Sequence, residues 1–237
     1  MNKKLDNYGF DSAFHYKSYR PPFHEFLLER VFKDQAFDNT LDVGCGTGNS
    51  SIALTKYSKS VTGYDPSKSM IHNAQKHSKI NYTSEISQLI DNYGLIVFFG
   101  SLFYVDEKSF LFYINKLSEK GFLLCCDFQI LYEPILSKLK VYTNEIEYDH
   151  SKNLDSYKTN SFELIDSEKI ETEFNCQLND LFHLLSSERH IKTQLNKKYD
   201  LSKNSRNLKE ELMIHYPHNK IKLKANLFFS YYVKISR

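Results

Sequence analysis

The sequence predicts an α/β protein built on a doubly wound parallel β-sheet with helices on both faces. Two observations support this fold class. Between about residue 40 and residue 128, short apolar runs alternate with stretches whose apolar residues recur at helical spacing. The runs are apolar along their whole length, which is typical of parallel strands covered on both faces. Right-handed crossovers between such strands place helices on both sides of the sheet.

The individual elements follow from the same pattern. A helix over His24–Phe32 is predicted first, because an amphipathic run follows the start signal Pro21-Pro22. Five core strands are then predicted: Thr40–Val43, Ser60–Tyr64, Ile80–Thr83, Leu95–Phe99 and Phe122–Phe128. The remaining expectations are an apolar stretch near Phe162–Ile165, helices near Leu178–Leu185 and Leu208–His215, and a long final strand over Lys222–Ser236.

The chain is expected to form one domain over residues 1–237. Periodicity weakens after residue 130, so an insertion or lid on the substrate side is predicted over residues 131–220. The other parts are a cap segment (1–36), a ligand-binding core (37–130) and the final strand (221–237).

Composition is that of an ordinary soluble globular protein. Charged residues make up 25% and apolar residues 41% of the 237 residues, with a formal net charge of +2. The nearest candidate for a nucleic-acid patch, Lys192–Lys209, is interrupted by Asp200 and is interpreted as a solvated surface. No run approaches the roughly 20 apolar residues of a membrane helix. No secretory pattern opens the chain, so a cytoplasmic location is expected. The cysteine spacing indicates neither a disulfide framework nor a metal site.

Three glycines directly follow the first predicted strand, at Gly44, Gly46 and Gly48. In an open parallel sheet, ligands bind at the carboxyl ends of the central strands. Glycines there permit a tight turn and close approach of a ligand, and the helix that follows directs free N–H groups at it. The spacing is G-x-G-x-G, with Asn49 where a dinucleotide fingerprint has its third glycine. A nicotinamide-dependent oxidoreductase is therefore disfavoured. Asp42, two residues before the loop, suits a ligand with a positively charged group.

Acidic residues follow the next two predicted strands. Asp65 ends the second strand and can accept both hydroxyls of an adenosine ribose. Glu85, after the third strand, is placed for a contact on the adenine side. Alternatively, Asp65 only initiates a turn and caps the next helix, and Glu85 is only solvent-exposed. Together, the loop and the acids predict a nucleoside-type ligand.

At these residues the chain resembles a class I S-adenosylmethionine (SAM)-dependent methyltransferase: LDVGCGTG matches the family's first motif and VTGYDPSKSM its second. The resemblance covers roughly residues 10–130. It implies a Rossmann-like, seven-stranded and mostly parallel sheet whose antiparallel last strand lies beside the fifth. It also implies SAM as the cofactor, held by Tyr19, Arg20, Asp42, Gly44, Cys45, Gly46, Gly48, Asp65, Pro66, Met70, Glu85 and Phe99.

A nearer resemblance is to the trans-aconitate methyltransferase-like (methyltransferase type 11) branch. Its Y-x-x-Y-R-P-x segment is matched at residues 16–22, which implies that Tyr19 and Arg20 close over the methionine end of SAM or contact substrate. The branch tends to carry a His-Trp pair after the fourth strand, where this chain has Phe103-Tyr104. That departure removes a polar contact from the substrate pocket and puts trans-aconitate itself in doubt.

Methyl transfer from a sulfonium is an in-line displacement that needs alignment more than acid catalysis. The aromatic rings of Phe99, Phe103 and Tyr104 suit a sulfonium through cation–π attraction. A carboxylate acceptor needs no base, whereas an amine or hydroxyl acceptor generally does. The catalytic candidates are Tyr104 and His183, and the less favoured bases are His150, His190, His215 and His218.

The leading interpretation is therefore SAM-dependent methyl transfer to a small-molecule acceptor that offers a carboxylate, hydroxyl or amine. Two alternatives stay open: a SAM-binding module without catalysis, and a nucleic-acid methyltransferase, which salt-sensitive RNA binding would favour. The sequence predicts no membrane partner and does not set the oligomeric state.

Overall fold

A computed structural model of the protein describes residues 14–15, 18–143, 148–201 and 206–235. The sheet of the described residues has seven strands in the order β3-β2-β1-β4-β5-β7-β6. In chain order they are β1 (Phe37–Val43), β2 (Ser58–Tyr64), β3 (Ile80–Thr83), β4 (Tyr93–Phe99), β5 (Leu117–Leu131), β6 (Phe162–Cys176) and β7 (Ile221–Lys234).

The first five strands are parallel, and β7 is antiparallel beside β5. The predicted Rossmann-like fold, with its antiparallel last strand next to the fifth, is confirmed. β4 ends at Phe99, opposite Cys126 of β5, and β5 continues beyond this point to Leu131. The chain order reverses between β1 and β4, which is where an open sheet of this kind binds its ligand.

Helices surround the sheet. They are α1 (Phe23–Phe32), α2 (Asn49–Leu54), α3 (Lys68–His72), α4 (Glu107–Ile114), α5 (Glu133–Lys138), α6 (Leu178–Ser187), α7 (Arg189–Tyr199) and α8 (Arg206–His215). Short 3₁₀ turns cover Ile86–Gln88, Leu102–Tyr104 and Leu154–Ser156. No helix among the described residues is long and apolar enough to cross a membrane.

Two hydrophobic cores lie on opposite faces of the sheet. Along β4, Leu95, Val97 and Phe99 enter the larger core, whereas Ile96 and Phe98 enter the smaller one. Helices α1, α2 and α5–α8 cover the larger core, and α4 covers the smaller. Because side chains alternate across a strand, burial on both faces requires an uninterrupted apolar run. This explains the pattern from which the fold was predicted.

Three elements were not foreseen: α5, β6 and α7. β6 is a 15-residue edge strand whose side chains are mostly exposed, so its sequence is rich in charges and only its start looked apolar. Charged residues on an edge strand also discourage pairing with another chain. α7 lies in the stretch interpreted as solvated surface, yet Ile191, Leu195 and Tyr199 are buried at helical spacing. Residues 202–205 of that stretch lie outside the described residues.

Candidate functional site

The glycine loop, residues 44–48, connects β1 to α2 at the carboxyl edge of the sheet. The backbone N–H groups of Gly44 and Cys45 both donate to the carbonyl of Tyr64, at 2.7 and 3.0 Å. The loop closes on itself through the N–H of Gly48 and the carbonyl of Cys45, at 2.9 Å. These bonds tie the loop to the end of β2 and bring the first two motifs of the sequence together.

The three glycines have different structural reasons. All three have positive φ, which L side chains rarely adopt. A Cβ at Gly44 would collide with Ser101, and a Cβ at Gly48 would collide with the Tyr82 hydroxyl. A Cβ at Gly46 would meet no atom within 4 Å. Gly44 and Gly48 are thus required by protein packing, and Gly46 is the glycine that faces open space.

Asp42 is fully buried at the end of β1, beneath the loop. Its Oδ2 accepts hydrogen bonds from the hydroxyls of Ser50 and Ser51, at 2.7 and 2.6 Å. Its Oδ1 is also buried and has no hydrogen-bond partner among the described residues. Burial raises the pKa of this carboxyl from 3.8 to about 6, although the two serine bonds oppose the shift. A buried acceptor without a donor fits a cationic or N–H-bearing ligand group.

Asp65 braces the loop from the end of β2. One carboxylate oxygen accepts from the Gly46 N–H at 2.9 Å, and the other accepts from the Ser67 N–H at 2.8 Å. Burial raises the pKa of Asp65, and these two bonds counteract it. The turn role considered for Asp65 is therefore present, with Pro66 inside the turn and Met70 buried on α3. Each carboxylate oxygen still has acceptor capacity for a ribose hydroxyl.

Two other predicted cofactor residues differ in exposure. Glu85 is exposed, and its side chain lies 3.7 Å from the ammonium group of Lys68. Its backbone N–H donates to the hydroxyl of Thr83 at 2.9 Å. Cys45 is buried in the loop, and burial raises the pKa of its thiol well above the usual value. The thiol therefore stays protonated and unreactive.

Aromatic side chains follow β4 at the same edge. Phe99 is buried against His24, with ring centroids 4.2 Å apart, and against Phe128 at 6.3 Å. Phe103 is partly exposed, and Tyr104 is 54% exposed. Of the three rings suggested for the sulfonium, Phe99 is thus mainly a packing residue. Tyr104 remains accessible to a ligand.

The tyrosine- and arginine-bearing segment lies between α1 and the α6–α7 junction. Arg20 lies 3.7 Å from Glu188, and its side chain is 6% exposed. Burial raises the pKa of Tyr19 to about 12. Burial, followed by the charge of Arg20, lowers the pKa of His24 to about 3, so this histidine is neutral. Residues 16 and 17 of the segment lie outside the described residues.

His183, the candidate base, lies on α6. Its Nδ1 is 3.0 Å from Nδ1 of His15, and its ring packs on Phe14 and Phe182. Burial lowers its pKa, with a further contribution from Lys209. The contacts that the structure describes for His183 are with these residues and with none of the loop or the end of β4.

The structure brings together a polar group whose members the sequence interpretation did not connect. Asp127, near the carboxyl end of β5, lies 2.9 Å from the hydroxyl of Tyr148 and 3.2 Å from Nδ1 of His150. The Tyr148 hydroxyl is also 2.9 Å from the carbonyl of Gly100. One signal was available, since Asp127 follows a wholly apolar run at the end of a predicted strand. His150 was only one of the less favoured candidate bases, and Tyr148 gave no local signal.

Comparisons with known proteins agree with this geometry. The profile of the methyltransferase domain family matches residues 16–174. A methyltransferase of Dictyostelium discoideum is 33% identical over 78 residues, which are 32% of this chain and 30% of the relative's own length. The chain thus matches less than a third of that relative.

Solved structures share the fold. A type II methyltransferase from Anaeromyxobacter dehalogenans matches with a TM-score of 0.60 and 14% identity, covering 92% of this chain and 98% of that one. Phosphoethanolamine N-methyltransferase 2 of Haemonchus contortus, solved with phosphomonomethylethanolamine and S-adenosylhomocysteine, matches with a TM-score of 0.53 and 18% identity. That match covers 97% of this chain and 58% of that one.

The tied glycine loop, the buried acid at the end of β1 and the acid at the end of β2 all lie within the residues that the family profile matches. The chain belongs to the methyltransferase domain family of class I, SAM-dependent enzymes.

Proposed function

We propose that this protein transfers a methyl group from SAM to a small-molecule acceptor that offers a carboxylate, hydroxyl or amine. One observation carries the proposal: the open face of Gly46 belongs to a loop that follows the buried carboxylate of Asp42 and is hydrogen-bonded to the half-buried carboxylate of Asp65. Such a place admits a ligand close to the backbone and offers acceptors to a cation and to hydroxyls.

Two acidic residues have individual roles in this proposal. Asp65 accepts from the ribose hydroxyls, and the bare Oδ1 of Asp42 faces the positively charged end of the ligand. The rest of the site consists of Tyr19, Arg20, Gly44, Cys45, Gly46, Gly48, Pro66, Met70, Glu85 and Phe99. When bound, SAM supplies an activated methyl group and leaves as a neutral thioether. The protein aligns the acceptor with that methyl group and excludes water.

The acceptor side is proposed to be residues 131–220. A groove of about 680 Å³ begins at the carboxyl end of β5, where Tyr132, His190 and Lys224 are among its lining residues. It continues the edge of the sheet that carries the cofactor site. Residues of the trans-aconitate-like pattern, Tyr19 and Arg20, lie beside α6 and support an assignment to that branch.

A small molecule is favoured over nucleic acid by the pairing of the basic residues. On α7 and α8, Lys198 bonds Glu211 at 3.0 Å and Arg206 bonds Glu210 at 2.7 Å. Cations that are already paired with acids release few counterions from a phosphate backbone. RNA binding that weakens steeply with salt would overturn this preference.

The first experiment is calorimetric titration of the protein with S-adenosylhomocysteine and, separately, with NADH. Micromolar binding of S-adenosylhomocysteine alone is expected. Release of S-adenosylhomocysteine from SAM in the presence of an acceptor would then exclude a non-catalytic binding module. Silence toward S-adenosylhomocysteine would contradict the proposed function.

A further inference from the structure

The group formed by Asp127, Tyr148 and His150 lies next to the glycine loop. Gly100, whose carbonyl is hydrogen-bond distance from Tyr148, is followed by Ser101, and Ser101 packs against Gly44. The Ser101 hydroxyl donates to the carbonyl of the last β1 residue, so this turn is fixed to the start of the loop. The group therefore borders the proposed cofactor site on its acceptor side.

The hydrogen bonds of Asp127 determine which nitrogen of His150 carries a proton. One Asp127 oxygen accepts from the N–H of Phe128 at 2.7 Å. The other accepts from the Tyr148 hydroxyl and lies 3.2 Å from Nδ1 of His150. A carboxylate can only accept, so Nδ1 of the neutral imidazole carries the hydrogen. Nε2 is then a bare acceptor, as in histidines that act as general bases.

The side chains of Asp127 and His150 are both accessible to a ligand. The His150 side chain is 26% exposed, and that of Asp127 is 15% exposed. Aromatic rings adjoin them: Tyr148 lies 4.4 Å from the His150 ring and 4.5 Å from that of Phe103, and 5.8 Å from Tyr104. This wall suits an acceptor with an aromatic or cationic part.

Building on the proposed function, we propose that His150, oriented by Asp127, removes a proton from an amine or hydroxyl acceptor bound against Phe103, Tyr104 and Tyr148. The acceptor's lone pair forms the new bond to the methyl carbon as the carbon–sulfur bond breaks, and that electron pair stays on sulfur. The acceptor's proton moves to Nε2 of His150 and then to solvent. Asp127 stabilises the imidazolium in between and is a positioning residue.

The titrating groups around His150 come from three elements. Asp127 faces it from β5, Tyr148 from its own segment, and His190 from α7. Burial lowers the pKa of His190, Glu188 opposes that shift, and His150 adds to it. The lowered pKa favours the neutral form of His190, so this ring places less positive charge beside His150.

The first test needs neither cofactor nor acceptor. Nitrogen-15 NMR of the histidine rings at about pH 8, above the ordinary imidazole pKa, reports which nitrogen of each ring is protonated. His150 is expected to be protonated at Nδ1 in the wild type and to lose that preference in Asp127→Asn. Protonation of His150 at Nε2 in the wild type would overturn the proposal.

The second test follows methyl transfer from labelled SAM to phenethylamine, catechol and phenylacetate. The variant His150→Gln is expected to lower transfer to the amine and the phenol by about 100-fold or more, the usual effect of losing a general base. Its affinity for S-adenosylhomocysteine should not change. His77→Gln, at an exposed histidine before β3, is the matched control and should transfer like the wild type.

Other outcomes separate the two proposals. Wild-type protein that does not bind S-adenosylhomocysteine contradicts the proposed function, whatever the NMR result. Wild-type protein that binds it but methylates phenylacetate alone, or none of the three probes, overturns the inference about His150. The inference is also overturned if His150→Gln transfers methyl groups to the amine or the phenol as fast as the wild type. It is likewise overturned if His183→Gln shows the loss of transfer that is expected of His150→Gln.

Discussion

The proposed cofactor side and the proposed acceptor side of this protein are built in different ways. On the cofactor side, Asp42 and Gly44–Gly48 are nearly contiguous in the chain, and hydrogen bonds join them to Asp65 at the next strand end. On the proposed acceptor side, Phe103, Asp127 and His150 come from separate parts of the chain. If both proposals hold, the cofactor is bound by motifs that are local in the sequence, and the acceptor is bound by residues that only the fold brings together.

The largest effect that sharpens this comparison is expected at Gly46. Gly46→Val should abolish detectable binding of S-adenosylhomocysteine, because a branched side chain would fill the open face of the loop. The positive φ adds a backbone strain of about 1–2 kcal/mol, so the protein should still fold. Calorimetry measures the affinity for S-adenosylhomocysteine, and urea unfolding measures the stability of the protein.

Gly48→Val is the contrasting variant. Its side chain would collide with Tyr82, so this variant should lose stability before it loses ligand binding. Normal ligand binding by Gly46→Val would refute the role given to this glycine.

Next in size is an effect on the region after β5. Leu195→Ala should lower the free energy of unfolding by about 2–5 kcal/mol, because Leu195 is fully buried in α7 and truncation leaves a cavity. Lys197→Ala, two residues on and exposed, should change it by less than about 0.5 kcal/mol. Urea unfolding of both variants tests whether α7 belongs to the larger core. Equal stabilities would mean that the stretch is a surface segment, as its sequence first suggested.

A smaller effect concerns Asp65 on the cofactor side. Asp65→Ala should weaken binding of S-adenosylhomocysteine by about 1.5–3 kcal/mol through the loss of charged hydrogen bonds. Asp38→Ala is the matched control, since Asp38 is an exposed acid on β1 that pairs with Lys59. Calorimetry compares the two variants. If Asp65→Ala is folded and binds normally, Asp65 only braces the loop.

The smallest expected effect is the pH dependence due to Asp42. Its folded-state pKa is raised from 3.8 to about 6, so the stability contributed by the protonated form is present below about pH 4 and lost as pH rises through 6. The loss amounts to about 1–3 kcal/mol. Asp42→Asn should flatten this part of the stability profile in urea unfolding. A profile shared by wild type and variant would assign the slope to other groups.

Much of the fold could be predicted because strands that are buried on both faces have an uninterrupted apolar sequence. β4 has to be apolar at every position, and the glycines have to precede a helix. β6 has no such apolar run, because it is an edge strand that exposes most of its side chains. α7 was hidden by lysines on its outer face, although Ile191 and Leu195 repeat at helical spacing.

The candidate site shows the same division. Asp42 and Asp65 were predicted from their positions at strand ends, and the structure brings both to the glycine loop. His150 was a weak candidate among several histidines, because no spacing in the sequence connects it with Asp127. Tyr148 gave no signal, since its contact with the carbonyl of Gly100 depends on how the chain returns to the sheet.

The adjacent thiols of Cys125 and Cys126 on β5 can be used to measure how this protein unfolds. Cys125 is buried in the smaller core, and Cys126 is buried in the larger core on the other face of the sheet. A thiol reagent can reach each cysteine only after the helices that cover its face of the sheet have separated from the sheet. The two labelling rates therefore report separately on the two faces, and their ratio tells which layer of helices detaches first.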